Sequence, residues 1–184
     1  MSSLNAPFGL RPAKHPSGVI RQEAGTIASA YNANIFTGQP VKMGTDGTIQ
    51  AAAIGDAFLG AFQGCEYTPA TGRRVVSNFW PANTVATEIV AYFTSDTEIV
   101  YEIQADGPIT QTEIGQQADF TAIASSNGLG MSTATMNATT SASTPGQLAV
   151  LGFSTDINNL PGDAFTVVQV KIAKPQYAAA VSPF

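Results

Sequence analysis

The side chains that most often catalyse reactions or bind metals are few in this chain. Its 184 residues include one histidine, His15, and one cysteine, Cys65. His15 lies between Lys14 and Pro16, without the rigid third group that orients a catalytic histidine, so a Ser-His-Asp or Cys-His arrangement is not expected. A single cysteine excludes an intrachain disulfide, and one Cys with one His is too few for a Cys/His zinc site. Cys65 follows a run of small residues and is predicted to be buried and unreactive.

Three carboxylates are the remaining candidates for chemistry. Asp96, Glu98 and Glu102 share parity along one predicted stretch of strand, and paired carboxylates can hydrolyse glycosides or bind calcium. They lack the closely spaced loop ligands of a calcium site, and alternating polar residues are normal on a half-exposed sheet. The sequence has no phosphate-binding glycine loop, nucleophile elbow or His-Glu metal motif. We therefore expect no catalytic residue, no metal and no cofactor, with a carbohydrate-active enzyme as the weakest alternative.

Charge is scarce and unevenly distributed. Only 11% of residues are charged, against roughly 25% in a usual soluble domain, and the formal net charge is −5. Residues 75–170 contain nine Asp and Glu but no Lys or Arg, whereas residues 1–42 hold four Lys and Arg against one Glu. This balance argues against nucleic-acid binding, and no apolar run approaches the roughly 20 residues that span a bilayer. The basic start is expected to meet an acidic surface, on its own body or a partner, or else to be a loose solvated terminus.

The first 24 residues are predicted to form an extended arm. Pro7, Pro12, Pro16, Gly9 and Gly18 exclude a helix. The arm is nevertheless too apolar for a free tail, so it is expected to lie on a surface. We also expect that it can be removed without unfolding the rest.

Residues 25–174 have the pattern of a β-domain. Segments 85–93 and 97–105 are predicted to pair as a hairpin, and 147–153 and 165–173 are predicted strands. Asp46-Gly47 predicts a two-residue hairpin turn. The abundance of Val, Ile and Thr, with Gly and Pro at the turns, favours an all-β small barrel or sandwich with extended arms.

Two uncharged segments are expected outside the main strands. Residues 121–146, dominated by Ala, Ser and Thr, predict a long loop or exposed ribbon, with disorder as the alternative. Residues 175–184 predict a C-terminal arm. Because residues 75–170 lack cations, a contact between identical copies made from that stretch is expected to be apolar or neutral, with these two segments as candidates.

Several segments resemble a group of tailed-bacteriophage virion structural proteins of the head decoration, or cement, type. In chain order they are NAPFGLRPAKHPSG, FTGQPVKMGTDGTIQAAAIGDAFLGAFQGCEY, EIVYEIQAD, GLGMSTATM and PGQLAVLGFSTDINNLPGDAFTVVQVKIAKPQY. The resemblance spans nearly the whole chain and rests on the order and texture of the segments. It implies a small β-rich protein that binds the major capsid protein on the outer surface of the virion capsid and stabilises the head.

The arm at residues 1–24 is then the expected capsid-binding element. Its candidate contact residues are Phe8, Leu10, Arg11, Lys14, Val19 and Ile20. A homo-oligomer is expected, with a trimer favoured over a dimer because capsid lattices offer many local threefold positions; neither nucleic acid nor membrane is an expected partner. The alternative is a tail, collar or head-fibre component that binds a host surface.

Overall fold

A computed structural model of the chain describes residues 4–121, 126–140 and 145–177. It is all-β, with two antiparallel sheets and a two-stranded ribbon arranged in a manner consistent with a β-sandwich. Within the described residues neither sheet closes into a barrel, so the predicted all-β class is confirmed in its sandwich form. No helix in those ranges is long and apolar enough to cross a membrane.

The first sheet has five strands in the order β1-β8-β13-β12-β9. Their bounds are Arg11–Lys14 (β1), Val100–Gln104 (β8), Val167–Ile172 (β13), Leu148–Phe153 (β12) and Gln117–Ala118 (β9). Strand β13 alternates as predicted, because Val168, Val170 and Ile172 are buried while the residues between them are half-exposed. The 3-10 turn Gln111–Glu113 precedes β9.

The second sheet has the order β2-β7-β5-β3-β4, with β6 also paired to β5. Its strands are Glu23–Gly25 (β2), Pro40–Met43 (β3), Ile49–Ala51 (β4), Gly60–Pro69 (β5), Val75–Ser77 (β6) and Ala86–Phe93 (β7). Strands β3 and β4 form the predicted hairpin. The prediction of a two-residue turn is wrong, because residues 44–48 connect the two strands. Of the predicted turn residues, Gly47 alone has a positive φ, +75°, and Asp46 accepts a hydrogen bond from the Thr48 amide instead.

The predicted hairpin of 85–93 with 97–105 is wrong. Strand β7 lies between β2 and β5, whereas β8 lies between β1 and β13 in the other sheet. Thr94 anchors the crossing: its amide donates to the Ala61 carbonyl at 3.0 Å, and its buried hydroxyl contacts the Tyr101 hydroxyl at 2.9 Å. A short connection with turn-forming residues therefore joins two sheets here rather than two paired strands.

The core consists of two clusters of buried side chains, one for each sheet. The cluster under the five-stranded sheet includes Leu10 from the arm and an edge-to-face pair, Phe58 and Phe120, with centroids 5.2 Å apart. In the other cluster, Tyr67 packs edge-to-face on the fully buried Trp80, and their ring centroids are 5.1 Å apart. Both aromatic pairs have the geometry that ring quadrupoles favour.

The uncharged segment 121–146 contributes to the core where it is described. Strands Phe120–Thr121 (β10) and Thr135–Met136 (β11) form the ribbon, and Met136 is completely buried. These residues form a ribbon, but the prediction that it is exposed is wrong, because Thr135 and Met136 are buried. Residues 122–125 and 141–144 lie outside the described residues. Of the predicted C-terminal arm, 178–184 also lie outside them, and Gln176 binds the Met43 backbone through its side-chain amide.

Candidate functional site

The N-terminal arm lies on its own body, at the edge of the five-stranded sheet. Strand β1 pairs antiparallel with β8, so that Arg11 is opposite Glu102 and Lys14 opposite Val100. Just before it, the Leu10 amide donates to the Gly38 carbonyl at 2.7 Å. This close approach requires Gly9, which has φ +75° and where a Cβ would lie 2.6 Å from the Gly38 oxygen.

An ion pair fixes the arm to β8. Arg11 Nη2 is 2.5 Å from Glu102 Oε2, and the Ser154 hydroxyl donates to Glu102 Oε1 at 2.7 Å. The Arg11 guanidinium also lies 4.5 Å from the centre of the Phe8 ring, within cation–π range. Burial raises the pKa of Glu102, but the hydrogen bonds from Arg11 and Ser154 outweigh it, and the pKa is lowered below 4.5.

A buried side-chain amide holds the residues before Phe8. Gln104 Oε1 accepts from the Ala6 amide at 3.0 Å, and Gln104 Nε2 donates to the Leu4 carbonyl at 2.9 Å. The side chain thereby pairs with the arm as a backbone peptide would. The arm is therefore held to its own body from Leu4 to Lys14.

The candidate contact residues divide into buried and exposed groups. Leu10 is completely buried in the core, so its side chain has no surface to offer a partner in this conformation. Phe8 and Ile20 are half-buried, whereas Arg11, Lys14 and Val19 are exposed. The exposed basic and large apolar side chains among residues 4–24 are Leu4, Arg11, Lys14, Val19 and Arg21, and we refer to these five as the arm surface.

Two hollows lie beside the arm, and Phe8 and Arg11 contribute to the lining of both. One, of about 230 Å³, is mainly polar and is lined further by Gln104, Asp156 and Asn159. The other, of about 160 Å³, is mainly apolar; its lining includes Phe8, Arg11, Pro12, Thr37, Gln63 and Met131. We refer to the second as the apolar hollow.

The three candidate carboxylates do not act together. Asp96 pairs with His15 at 3.2 Å, Glu98 with Lys171 at 2.7 Å, and Glu102 with Arg11. All three partner side chains come from outside residues 75–170. The expectation that the basic arm meets an acidic surface is confirmed for Arg11, which pairs with Glu102 of its own body, whereas Lys14 donates to the neutral side chain of Gln169.

His15 has a serine as well as an aspartate beside it. Its Nδ1 is 2.6 Å from the Ser17 hydroxyl, while its Nε2 contacts Asp96. Ser17 also interacts with the Val19 backbone through the same hydroxyl, which makes it part of a local turn. A catalytic triad also needs oxyanion donors and a substrate cleft, and the two hollows beside the arm are lined by other residues.

The aspartates mainly stabilise loops. Each of the seven in the chain accepts a hydrogen bond from a backbone amide: Asp46, Asp56, Asp96, Asp106, Asp119, Asp156 and Asp163. This role explains how a stretch without cations tolerates so many acids, because an ionised carboxylate is a strong acceptor for N–H donors. Across the described ranges, no group of three or more His, Cys, Asp or Glu is placed to hold a metal ion.

In the loop between β12 and β13, residues 154–166, sequence reasoning placed a turn at 159–163 but did not single out two exposed apolar residues. Ile157 is 89% exposed and Leu160 62% exposed, although both are large apolar residues. Their position within the turn-forming sequence STDINNLPGD was the available signal, since such segments are usually polar.

Cys65 is buried, as predicted, and its sulfur lies 3.5 Å from the Phe79 carbonyl oxygen.

Comparisons with protein-family models, curated proteins and solved structures give no match for this chain.

Proposed function

We propose that this protein is a tailed-phage capsid decoration protein, which binds the major capsid protein on the outer surface of the virion and stabilises the head. The observation that carries the proposal is the arm surface: an ordered strip of basic and apolar side chains on a body with excess acid. The resemblance of the quoted segments to head decoration proteins supports the same function. The homo-oligomer, with three copies favoured, belongs to this proposal.

The ordering of the arm makes it suited to binding. An arm that becomes ordered only when it binds loses conformational entropy at that moment, which lowers its affinity. Here Gln104, Glu102 and Gly38 already hold the arm. Most of the free energy of burying Leu4 and Val19 is then available for attachment, at about 25 cal/mol per Å² of apolar surface.

Stabilisation of the head follows from where the protein binds. A ligand that binds the assembled lattice better than free capsid subunits lowers the free energy of the assembled state. Many copies on one particle add their contributions, so a modest affinity at each position is sufficient. A binding protein of this kind needs no catalytic centre.

The test compares variants of the arm surface in binding to purified capsids that lack the protein. Lys14→Glu together with Val19→Ser should reduce capsid occupancy strongly, because both side chains are exposed and neither belongs to the core. Val76→Ser is the matched control, since Val76 is 80% exposed on β6 in the other sheet. Wild-type occupancy by the double variant would overturn the arm surface as the attachment site.

Copy number separates this function from a tail, collar or head-fibre role. A decoration protein is expected at hundreds of copies per particle, and a tail or collar component at a dozen or fewer.

A further inference from the structure

A third hollow lies between the N-terminal arm and the two-stranded ribbon, apart from the two beside Phe8 and Arg11. Its volume is about 420 Å³, within the roughly 300–1,000 Å³ of small-molecule sites. Segments distant in sequence line it, and the lining includes Asn5, Pro7, Asp106, Thr121, Thr135 and Phe165. We refer to it as the threonine hollow.

Asp106 is held in this hollow by backbone hydrogen bonds that use one of its two carboxylate oxygens. It follows β8, and its amide donates to the Met136 carbonyl at 2.9 Å while its Oδ1 accepts from the Ala138 amide at 2.7 Å. Among the residues that the structure describes, no donor binds its Oδ2 and no cation pairs with it. Asp106 therefore offers the hollow an unused, negatively charged acceptor.

Thr121 and Thr135 lie opposite each other in the ribbon and leave a donor unused. Their hydroxyl oxygens are 2.5 Å apart, and Thr135 is only 6% exposed. Two hydroxyls carry two protons, and one proton is enough for the hydrogen bond between them. Neither hydroxyl has a further partner within the described ranges. The second proton and the remaining lone pairs are therefore available to a group bound in the hollow.

The other walls add an amide and an apolar surface. The Asn5 side chain, which has both donors and an acceptor, makes no hydrogen bond to another described residue. The half-buried Phe165 and Pro7 supply apolar walls. An aromatic ring presents a negative face, which attracts weakly positive C–H groups.

These groups select the chemistry of the ligand. An anion is disfavoured, because the lining includes the Asp106 carboxylate and no cationic side chain. An ammonium group would suit Asp106 but has no acceptor, so it would leave the spare threonine proton unpaired, which is costly away from water. A hydroxyl group both donates and accepts, and therefore satisfies the carboxylate and the threonine pair alike.

We propose that the threonine hollow binds one pyranose ring of a neutral sugar. Ring hydroxyls donate to Asp106 and exchange hydrogen bonds with Asn5 and with the Thr121–Thr135 pair, while an apolar C–H face of the ring lies on Phe165. The sugar is either a free molecule or the end of a glycan, since both present the same ring. This site is additional to capsid attachment and does not rest on it.

The test is a titration of the full ¹⁵N-labelled chain followed by its amide chemical shifts. The ligands are glucose, galactose, mannose and N-acetylglucosamine, each as free sugar and as methyl glycoside, with n-butylammonium and glucuronate at equal concentration for comparison. At least one neutral sugar should shift the amides of Asp106, Thr121, Thr135 and Ala138, and the two ions should not. Binding of the free sugar alone would assign a soluble sugar, whereas binding of its methyl glycoside as well would assign the end of a glycan.

Two variants and a matched control locate the site. Asp106→Asn keeps an oxygen for the Ala138 amide and should weaken binding about tenfold, the loss expected for one charge-assisted hydrogen bond. Thr135→Val keeps the shape of the side chain and should weaken binding about threefold. Asp156→Asn is the control, because Asp156 also accepts a backbone amide, from Asn158, but lies outside this hollow. It should bind the sugar as wild type does.

Each result decides the inference, provided that the variants keep the dispersed spectrum of the folded chain. Shifts with none of the neutral sugars, or shifts confined to other parts of the chain, would overturn it. Stronger binding of n-butylammonium than of any sugar would assign the hollow to a cation and would also overturn it. Equal sugar affinity of Asp106→Asn, Thr135→Val and the control would do the same.

Discussion

At the scale of single residues, the informative side chains are those that fix the arm. Arg11 and its basic neighbourhood could be identified from the sequence, because cations are rare and concentrated there. Its partner Glu102 could not, because the sequence shows a half-exposed acidic strand and not the strand that pairs beside it. Gln104 is a similar case: a glutamine in a strand gives no sign that its amide holds Leu4 and Ala6.

Acidification should loosen the arm. The folded-state pKa of Glu102 is lowered below 4.5, so its stabilising contribution is complete above that pH and is lost as the pH falls through the folded-state value. The protection factor of the Leu10 amide against hydrogen exchange should therefore fall at acid pH by more than the protection factors of core amides. Glu102→Gln should exchange faster than wild type near neutral pH and lack this acid-dependent step. Identical acid dependence in the variant would contradict the role of Glu102.

Cys65 should be unreactive in the native protein. Burial raises the pKa of its thiol to about 12, so the reactive thiolate is scarce near neutral pH. Labelling by a thiol reagent should be slow for the folded protein and fast after denaturation. Rapid stoichiometric labelling of the native chain would contradict this placement.

At the scale of elements, local patterns predicted strands better than their partners. The alternation in β13 and the hairpin of β3 with β4 are encoded by neighbouring residues, and both were predicted. Strands β7 and β8 are close in sequence but belong to different sheets, because β7 pairs with the ten-residue β5 and β8 with β1 and β13. Period-two alternation identifies a buried face and says nothing about which strand lies alongside.

The arm is less separable than its composition suggests. It supplies β1 to a sheet and Leu10 to the core. Deleting residues 2–18 is therefore expected to destabilise the domain as well as weaken attachment, and point variants of exposed arm residues are the better test of binding.

The crossing between the sheets should tolerate no added side-chain atom at Gly60. A Cβ there would lie 1.8 Å from the Thr94 carbonyl oxygen, at the point where the chain changes sheets. Gly60→Ala should lower the free energy of unfolding by about 3 kcal/mol or more, because a packed core accommodates extra atoms only by moving backbone.

Gly152→Ala is the control for this prediction. Gly152 also lies in a strand, but a Cβ there meets nothing within 4 Å. Its effect should stay within about 0.5 kcal/mol in chemical denaturation. Equal effects of the two substitutions would show that the crossing is not tightly packed.

At the scale of the whole molecule, the distribution of charge links fold and proposed function. The aspartates accept backbone hydrogen bonds within loops, and the ion pairs of Glu102 and Glu98 use cations from the arm and from β13. Arg11, Lys14 and Arg21 then place exposed cations on the arm. A charge-poor body with an ordered basic arm is suited to sitting beside identical neighbours on a lattice.

The most direct measurement of the central claim is the copy number of this protein in purified virions, from quantified gel bands relative to the major capsid protein. Attachment to the outer capsid lattice predicts hundreds of copies, in a fixed ratio to capsid subunits, and their release by agents that leave the capsid shell intact. A dozen copies or fewer, or copies that remain with detached tails, would contradict the account.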